Sequence, residues 1–551
     1  MNRRTGVMAA FLVLVALSAS AQEVKDVRSV LEASLKAMGG TNLKRIQYSG
    51  GGWSSRIGQT YGLNEDWPKY EVADYTRTID YGAKSSREEY TRRQAKYPLL
   101  GRPPMPEEHI TSILSENYAW DVQGDKAVPF TRLYLDGVPY ADLRLLEIAI
   151  TPHGFLKMAL AAKDATAITL PIIGPSDFGL SQFGRKVTIV SFTLGKYRVN
   201  GTINDQNLVE LTDTWFPNPV YGDMDYEMRY TRYKNFGGVM FPTLIHVHQG
   251  DPRLNPAHNY YQYDITDVKP NVSVTPMPVP EVVRAATLAP VKVDSRKLAE
   301  GVWLLGGGMH NSVLVEFKDF VAVVEAPNNE ARSLAVIDEA NRLAPNKPIK
   351  YLVNTHHHMD HAGGLRTYVS QGTTIVTHAI NKAYYLDVML HPGPRELQPD
   401  RFSLYSPMYM VSRRPAPIET VGSADAGGPG TGSSGATKYV ITDGDHVMEV
   451  LFVEDMAYEL GDNSYSQGNH SNDMLMVYLP KEKMLINADL YSPPEPGAQP
   501  PATPTSSMLT LYQNMRKYKL DVAQHVPIEG HVGSNDEFVK LLGTKVSQTQ
   551  N

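Results

Sequence analysis

The chain has 551 residues, 42% of them hydrophobic, which is ample for ordinary cores and predicts two or more domains. A formal net charge of −6 leaves no basic field for nucleic acid. With no cysteine anywhere, no disulfide holds the protein together, and stability must come from core size and bound ligands.

The first residues read as a processing segment. Arg3 and Arg4 precede the apolar Val7 to Leu17, and Ala19-Ser20-Ala21 supplies a small-residue cleavage pattern, so 1–21 is expected to be a secretory signal with the mature chain starting near Gln22. Export to the periplasm or beyond follows from that expectation, by general secretion rather than a twin-arginine route. No cysteine follows the apolar run to carry a lipid, and no later stretch is long and apolar enough to span a bilayer.

Residues 22–268 have a β-rich character. After a short helix at Val27 to Met38 come Tyr-rich runs with period-two alternation: Tyr70 to Asp80, Lys186 to Phe192, Tyr197 to Ile203, Leu208 to Phe216, Tyr226 to Tyr233 and Phe241 to His248. Turn signals at Asn200-Gly201 and Gly237-Gly238 divide them, which predicts an antiparallel, strongly curved sheet. A helical pattern over Ala141 to Ala162, broken at Pro152-His153-Gly154, offers Leu145, Ile148, Phe155 and Met158 to pack on it. Alternation places His246 and His248 on one strand face, where no third ligand with recognisable spacing is visible, so the pair is read as solvent-facing and without function. Pro270, Pro276, Pro278 and Pro280 then mark 269–297 as an extended linker.

The second domain is expected over 298–551. Val302 to Leu305 and Ser312 to Glu316 open it as strands, Gly306 to Asn311 joins them, and Glu330 to Leu343 forms a helix. His310, in that joining loop, is a candidate substrate-binding residue. Ile349 to Val353 is a short buried strand leading into His356-His357-His358-Met359-Asp360-His361, four imidazoles and a carboxylate in six residues. An extended strand end points alternate side chains the same way, so His356 and His358 can share one cation. Asp360 and His361 follow a turn and can face a second. His470 precedes a strand pair, Met474 to Leu479 and Met484 to Ala488, that ends at Asp489, and a hairpin of that kind brings His470 and Asp489 to one site. Gly530-His531-Val532-Gly533 adds a glycine-flanked His near the end of the chain. The Pro-, Gly- and Ser-rich stretch of about 386–439 reads as an insertion.

In this order, HxHxDH, a His before a strand pair, an Asp at its end and a late Gly-His resemble the metallo-beta-lactamase-fold hydrolases over roughly the last 250 residues. The resemblance implies an α/β fold with a C-terminal αββα sandwich behind a mainly antiparallel β domain. It implies that His356, His358 and His470 hold one metal, that Asp360, His361 and His531 hold the other, and that Asp489 bridges them. Two divalent ions are implied, zinc first for an imidazole and carboxylate set, with iron or manganese suited to the same ligands. A hydroxide bridging the two would be the nucleophile, and Asp360 would take a proton as the intermediate collapses. The strand before the first motif ends in Glu325, where the family usually has Asp. The absence of cysteine removes a thiolate ligand that some beta-lactamases of the superfamily use. Those beta-lactamases also lack a bridging carboxylate at the position of Asp489, so the match is closer to the glyoxalase II-like and lactonase-like branch than to antibiotic-degrading members.

The N-terminal region is distantly similar to the β-rich regions that precede this fold in exported bacterial proteins. The implied activity is hydrolysis of an ester, lactone, thioester or related bond in a small molecule. A mononuclear iron oxygenase of the same fold, a beta-lactamase, and a non-enzymatic hydrophobic-ligand binder with a structural metal domain are the competing readings.

Overall fold

The computed structural model describes residues 23–24, 26–63, 65–95, 106–171, 185–250, 259–390, 395–405, 417–423, 437–455, 469–494 and 504–543. The expected signal and much of the expected insertion lie outside the described residues. No described helix is long and apolar enough to cross a membrane.

Among the described residues, the N-terminal half forms one antiparallel sheet of fourteen strands, and its order is not the chain order. Strands from Lys186–Leu194 to Asn259–Pro270 run in sequence, and Asn259–Pro270 then pairs with Arg45–Ser55, with Tyr263 opposite Gly52 and Lys269 opposite Gln47. The sheet continues through Lys69–Asp80, Ser85–Gln94, Glu108–Ser115, Tyr118–Gln123 and Lys126–Pro129. Buried and half-buried positions alternate along most strands, as one covered face requires. The cover is helical. Val27–Ala37, capped by Asp26, packs on Pro152–Ala161, and both join a core with Ile46, Phe216, Tyr230 and Phe241.

The predicted long helix is two helices, Tyr140–Ala149 and Pro152–Ala161. Proline is tolerated in the first turn, and the Thr151 hydroxyl accepts from the Gly154 amide, so the expected break is a new start. The Asn200-Gly201 turn signal is corrected: both residues lie inside the strand Tyr197–Ile203. A Cβ at Gly201 would overlap the Phe155 ring, so glycine is there to admit the helix, and the turn before this strand uses Gly195 at φ 62°. Gly237 and Gly238 do form the predicted turn, at φ 58° and 91°.

The expected linker is not free chain. A short helix, Glu281–Arg284, sits within it, and Val279 and Val283 are buried against Ile113 and Trp120 of the sheet. The second domain opens one strand earlier than expected, at Asp294–Ala299.

From there two sheets face each other. The first runs Asp294–Ala299, Val302–Gly306, Ser312–Glu316, Val321–Val324, Ile349–Val353, Thr374–His378 and Ile418–Val421, antiparallel at first and parallel from Val321–Val324 onward. The second comprises Lys438–Thr442, Val447–Phe452, Leu475–Leu479, Met484–Asn487, Gln524–Pro527 and Gly533–Ser534. Their inner faces share one apolar core, including Val313, Val353, Val450 and Val477. Glu330–Leu343 and Leu365–Ser370 cover the outside of the first sheet, while Ser506–Lys517 and Asn535–Leu542 cover the second. This is an αββα sandwich.

Candidate metal centre

The functional residues gather at strand ends on one rim of the sandwich. His356 and His358 follow the buried strand Ile349–Val353; His470 precedes Leu475–Leu479; Asp489 follows Met484–Asn487. The His356 Nε2, His358 Nδ1 and His470 Nε2 atoms converge, with His358 Nδ1 lying 3.0 Å from the first and 2.9 Å from the second.

Their surroundings fix which nitrogen carries the proton. Thr355 Oγ1 donates to Glu325 Oε2 at 2.5 Å, so it accepts from His356 Nδ1 at 3.0 Å and leaves Nε2 bare. His358 donates through Nε2 to the Thr60 carbonyl at 2.7 Å, which leaves Nδ1 bare. His361 donates through Nδ1 to Glu325 Oε2 at 3.2 Å, which turns its Nε2 inward toward Asp489 Oδ2. Ring nitrogens so prepared repel one another unless a cation lies between them.

A second group adjoins the first. His361 Nε2, His310 Nε2 and a Glu529 carboxylate oxygen lie within ligand spacing of each other. Glu529 Oε1 is 3.4 Å from His361 and 3.7 Å from His310, whose Nε2 is also 3.7 Å from Asp360 Oδ2. Asp489 stands between the groups: Oδ2 is 3.1 Å from His361 and 3.5 Å from His356, while Oδ1 is 3.7 Å from His470. Its backbone is left-handed, at φ 55°, a conformation aspartate tolerates better than most residues. Its amide donates to Glu529 Oε2 at 3.0 Å.

The centre is electrostatically unfinished. Asp489 Oδ2 and Glu529 Oε1 are buried without hydrogen-bonding geometry to any described residue. Burial pushes His356 well below its ordinary range, and the neighbouring His361 adds to this. Burial and the charge of Asp489 raise Glu529 to about 8. Burial and His361 lower His310 to about 4. Against its own burial, His361 is raised well above the usual imidazole range by Asp489 and Glu529. Positive charge is what this pocket lacks.

The structure thus brings His356, His358, Asp360, His361, His470 and Asp489 to one centre, with the substrate-binding candidate His310 among them. His531 lies in neither of these two groups, whereas Glu529, two residues before it, lies in the second. Gly530 between them has φ 99°, which breaks the alternation that would have put 529 and 531 on one side. Glu325, noted as a departure, is fully buried and serves His356 through Thr355 and His361 directly. Reading the sequence missed Glu529, although it lies in the same loop as His531. It also missed Asp473, buried beneath His357, which binds that residue's amide at 2.8 Å and Nδ1 at 3.0 Å. His246 and His248 are half-buried, 3.0 Å apart at Nε2, and hydrogen-bonded to Gln262, Asn259 and Glu227.

Residues 305–525 match the family model of the metallo-beta-lactamase superfamily. Among solved structures, the chain is similar to a metallo-beta-lactamase from Pontibacter korlensis, with 17% identity and a TM-score of 0.30 over 47% of this chain and 100% of that one. It is also similar to the metallo-beta-lactamase FIM-1 from Pseudomonas aeruginosa in its mono-zinc form, with 15% identity and a TM-score of 0.31 over 47% and 98%. A metallo-beta-lactamase from Hirschia baltica matches at 15% identity and a TM-score of 0.30, over 46% and 98%. No curated protein matches the chain. Fold and donor set together define a metal-dependent hydrolase. The match to the metallo-beta-lactamase superfamily thus falls on the sandwich behind the large antiparallel sheet.

Proposed function

We propose that the protein is an exported dinuclear hydrolase acting on an ester, lactone, thioester or related bond of a small molecule. The observation that carries the reading is a carboxylate, Asp489, placed between two ligand-spaced groups whose ring nitrogens are already oriented inward. His356, His358 and His470 would hold one divalent cation. His361, with oxygens or nitrogen from Asp360, Glu529 and His310, would hold the other, and Asp489 would touch both. Such ions, zinc by the chemistry of the donors, would supply Lewis acidity toward the attacked oxygen and lower the pKa of water.

The chain's own groups complete the chemistry. Glu325 keeps the tautomers of His356 and His361 fixed, so neither ring spends time turned away. Asp360 is the least buried carboxylate of the set and is held at Oδ1 by Gln59 at 2.7 Å, a position from which it can pass a proton to a departing group. Export rests on the leader at 1–21 alone.

The test is cation stoichiometry together with turnover on ester, lactone, thioester, phosphodiester and beta-lactam substrates. Wild type should take up two ions per chain and cleave at least one of the first three classes. Asp489→Asn should lower uptake of the second ion and turnover together, by roughly 10- to 100-fold. One ion per chain at full activity would refute the dinuclear reading, and turnover that needs O2 would favour an oxygenase.

A further inference from the structure

The metal centre is completed from outside its own domain. The loop between strands Arg45–Ser55 and Lys69–Asp80 of the N-terminal sheet lies across the HxHxDH segment. The Met359 amide donates to the Gly58 carbonyl at 3.2 Å, and the Asn472 amide to the Tyr61 carbonyl at 2.9 Å, so both ligand-bearing loops are tied to it. Between these ties, two consecutive residues reach the site. Gln59, 6% exposed, donates from Nε2 to Asp360 Oδ1 at 2.7 Å. The Thr60 carbonyl accepts from His358 Nε2 at 2.7 Å, and its hydroxyl meets His357 Nε2 at 2.9 Å.

These contacts have chemical content. A carbonyl on His358 Nε2 decides that Nδ1 faces His356 and His470; without it the ring is free to turn over or change tautomer. The Thr60 hydroxyl extends a chain from buried Asp473 through His357, since Asp473 accepts at Nδ1 and so leaves Nε2 to receive the hydroxyl proton. Gln59 holds one oxygen of Asp360, and the other faces His310 at 3.7 Å.

We propose that Gln59 and Thr60 of the N-terminal sheet are positioning residues of the metal centre, setting His358 and Asp360 for cation binding, so that neither domain makes a competent site alone. This rests on the dinuclear reading above.

The test uses the full chain. Gln59→Leu keeps the volume and removes the donor; Thr60→Val removes only the hydroxyl. Zn2+ and Co2+ titrations should show Gln59→Leu binding the second ion roughly 10- to 100-fold more weakly, the range for loss of a group supporting a ligand. The Co2+ absorption bands should change, kcat should fall with KM nearly constant, and the melting temperature of the cation-free protein should stay within a few degrees. In wild type, hydrogen exchange across residues 56–68 should slow when Zn2+ is added, a readout that needs no variant. Wild-type stoichiometry judges the dinuclear reading separately: two ions in wild type, with Gln59→Leu identical in affinity and spectrum and with no change in exchange across the loop, would overturn the positioning role and leave that reading intact. Failure of wild type to bind any cation would overturn both.

Discussion

The proton of a single buried imidazole shows how strictly the interior is specified. His153 is fully buried, with Nε2 3.2 Å from the Met38 carbonyl and its ring stacked parallel to Phe241 at 6.2 Å. Burial lowers its pKa to about 4, below the 6.5 of an unfolded histidine. Between those values the unfolded chain binds the proton and the folded one does not, so this stability is fully present above pH 6.5 and is lost as pH falls toward 4. The wild type should therefore lose roughly 2 kcal/mol between pH 6.5 and 5 through this group, at 1.36 kcal/mol per unit. Urea unfolding of His153→Gln at both pH values should show a correspondingly flatter dependence; an unchanged slope would exclude the residue as its source. At the same scale, the gathering of the HxHxDH side chains was legible because they share one short segment whose geometry is local. Glu529 was not, because the choice between 529 and 531 depends on the left-handed backbone of Gly530, which residue identity alone leaves open.

Among elements, the loop from the sheet is shaped to fit the ligand segment closely. Gly58 has φ 71°, and a Cβ there would overlap the Met359 side chain. Gly58→Ala should therefore push the loop off the ligand segment and weaken cation binding about tenfold, comparable to losing an outer support. Met359→Ala in the same chain should restore much of it, and the coupling is read from a double-mutant cycle of Zn2+ affinity. Strict additivity would mean that the contact transmits nothing. Some elements could be read in advance, since Glu330–Leu343 and the strand pair at Leu475–Leu479 and Met484–Asn487 are defined by local periodicity. Pairing of Arg45–Ser55 with Asn259–Pro270, and the reach of Gln59 to a partner 301 positions away, have no local signature. Asn200-Gly201 misled for the same reason: the ring that needs the glycine lies on a helix some 45 positions earlier.

Over the whole molecule, the two halves are joined at several places besides the metal loop. Asp136 accepts from Asn328 and Asn329, each at 3.3 Å, and Arg395 donates to the carbonyls of Asn218, Pro219 and Val220 at 2.9 to 3.2 Å. A cation that stabilises the sandwich should therefore stabilise the sheet as well. At a hundredfold excess over its dissociation constant an ion adds about 2.7 kcal/mol to the folded state. Calorimetry with Zn2+ should show both halves melting later, as one transition; a sheet transition indifferent to the ion would show that the halves melt independently.

The closeness of Gly58 to Met359 also bears on how such a protein can change over generations. Recombination that exchanged the N-terminal half alone would carry every candidate ligand intact and yet remove the loop fitted to Met359, because that complement is encoded some three hundred codons upstream. The two halves are thus a single heritable unit, and a hydrolase domain borrowed from this chain arrives without part of its own active centre.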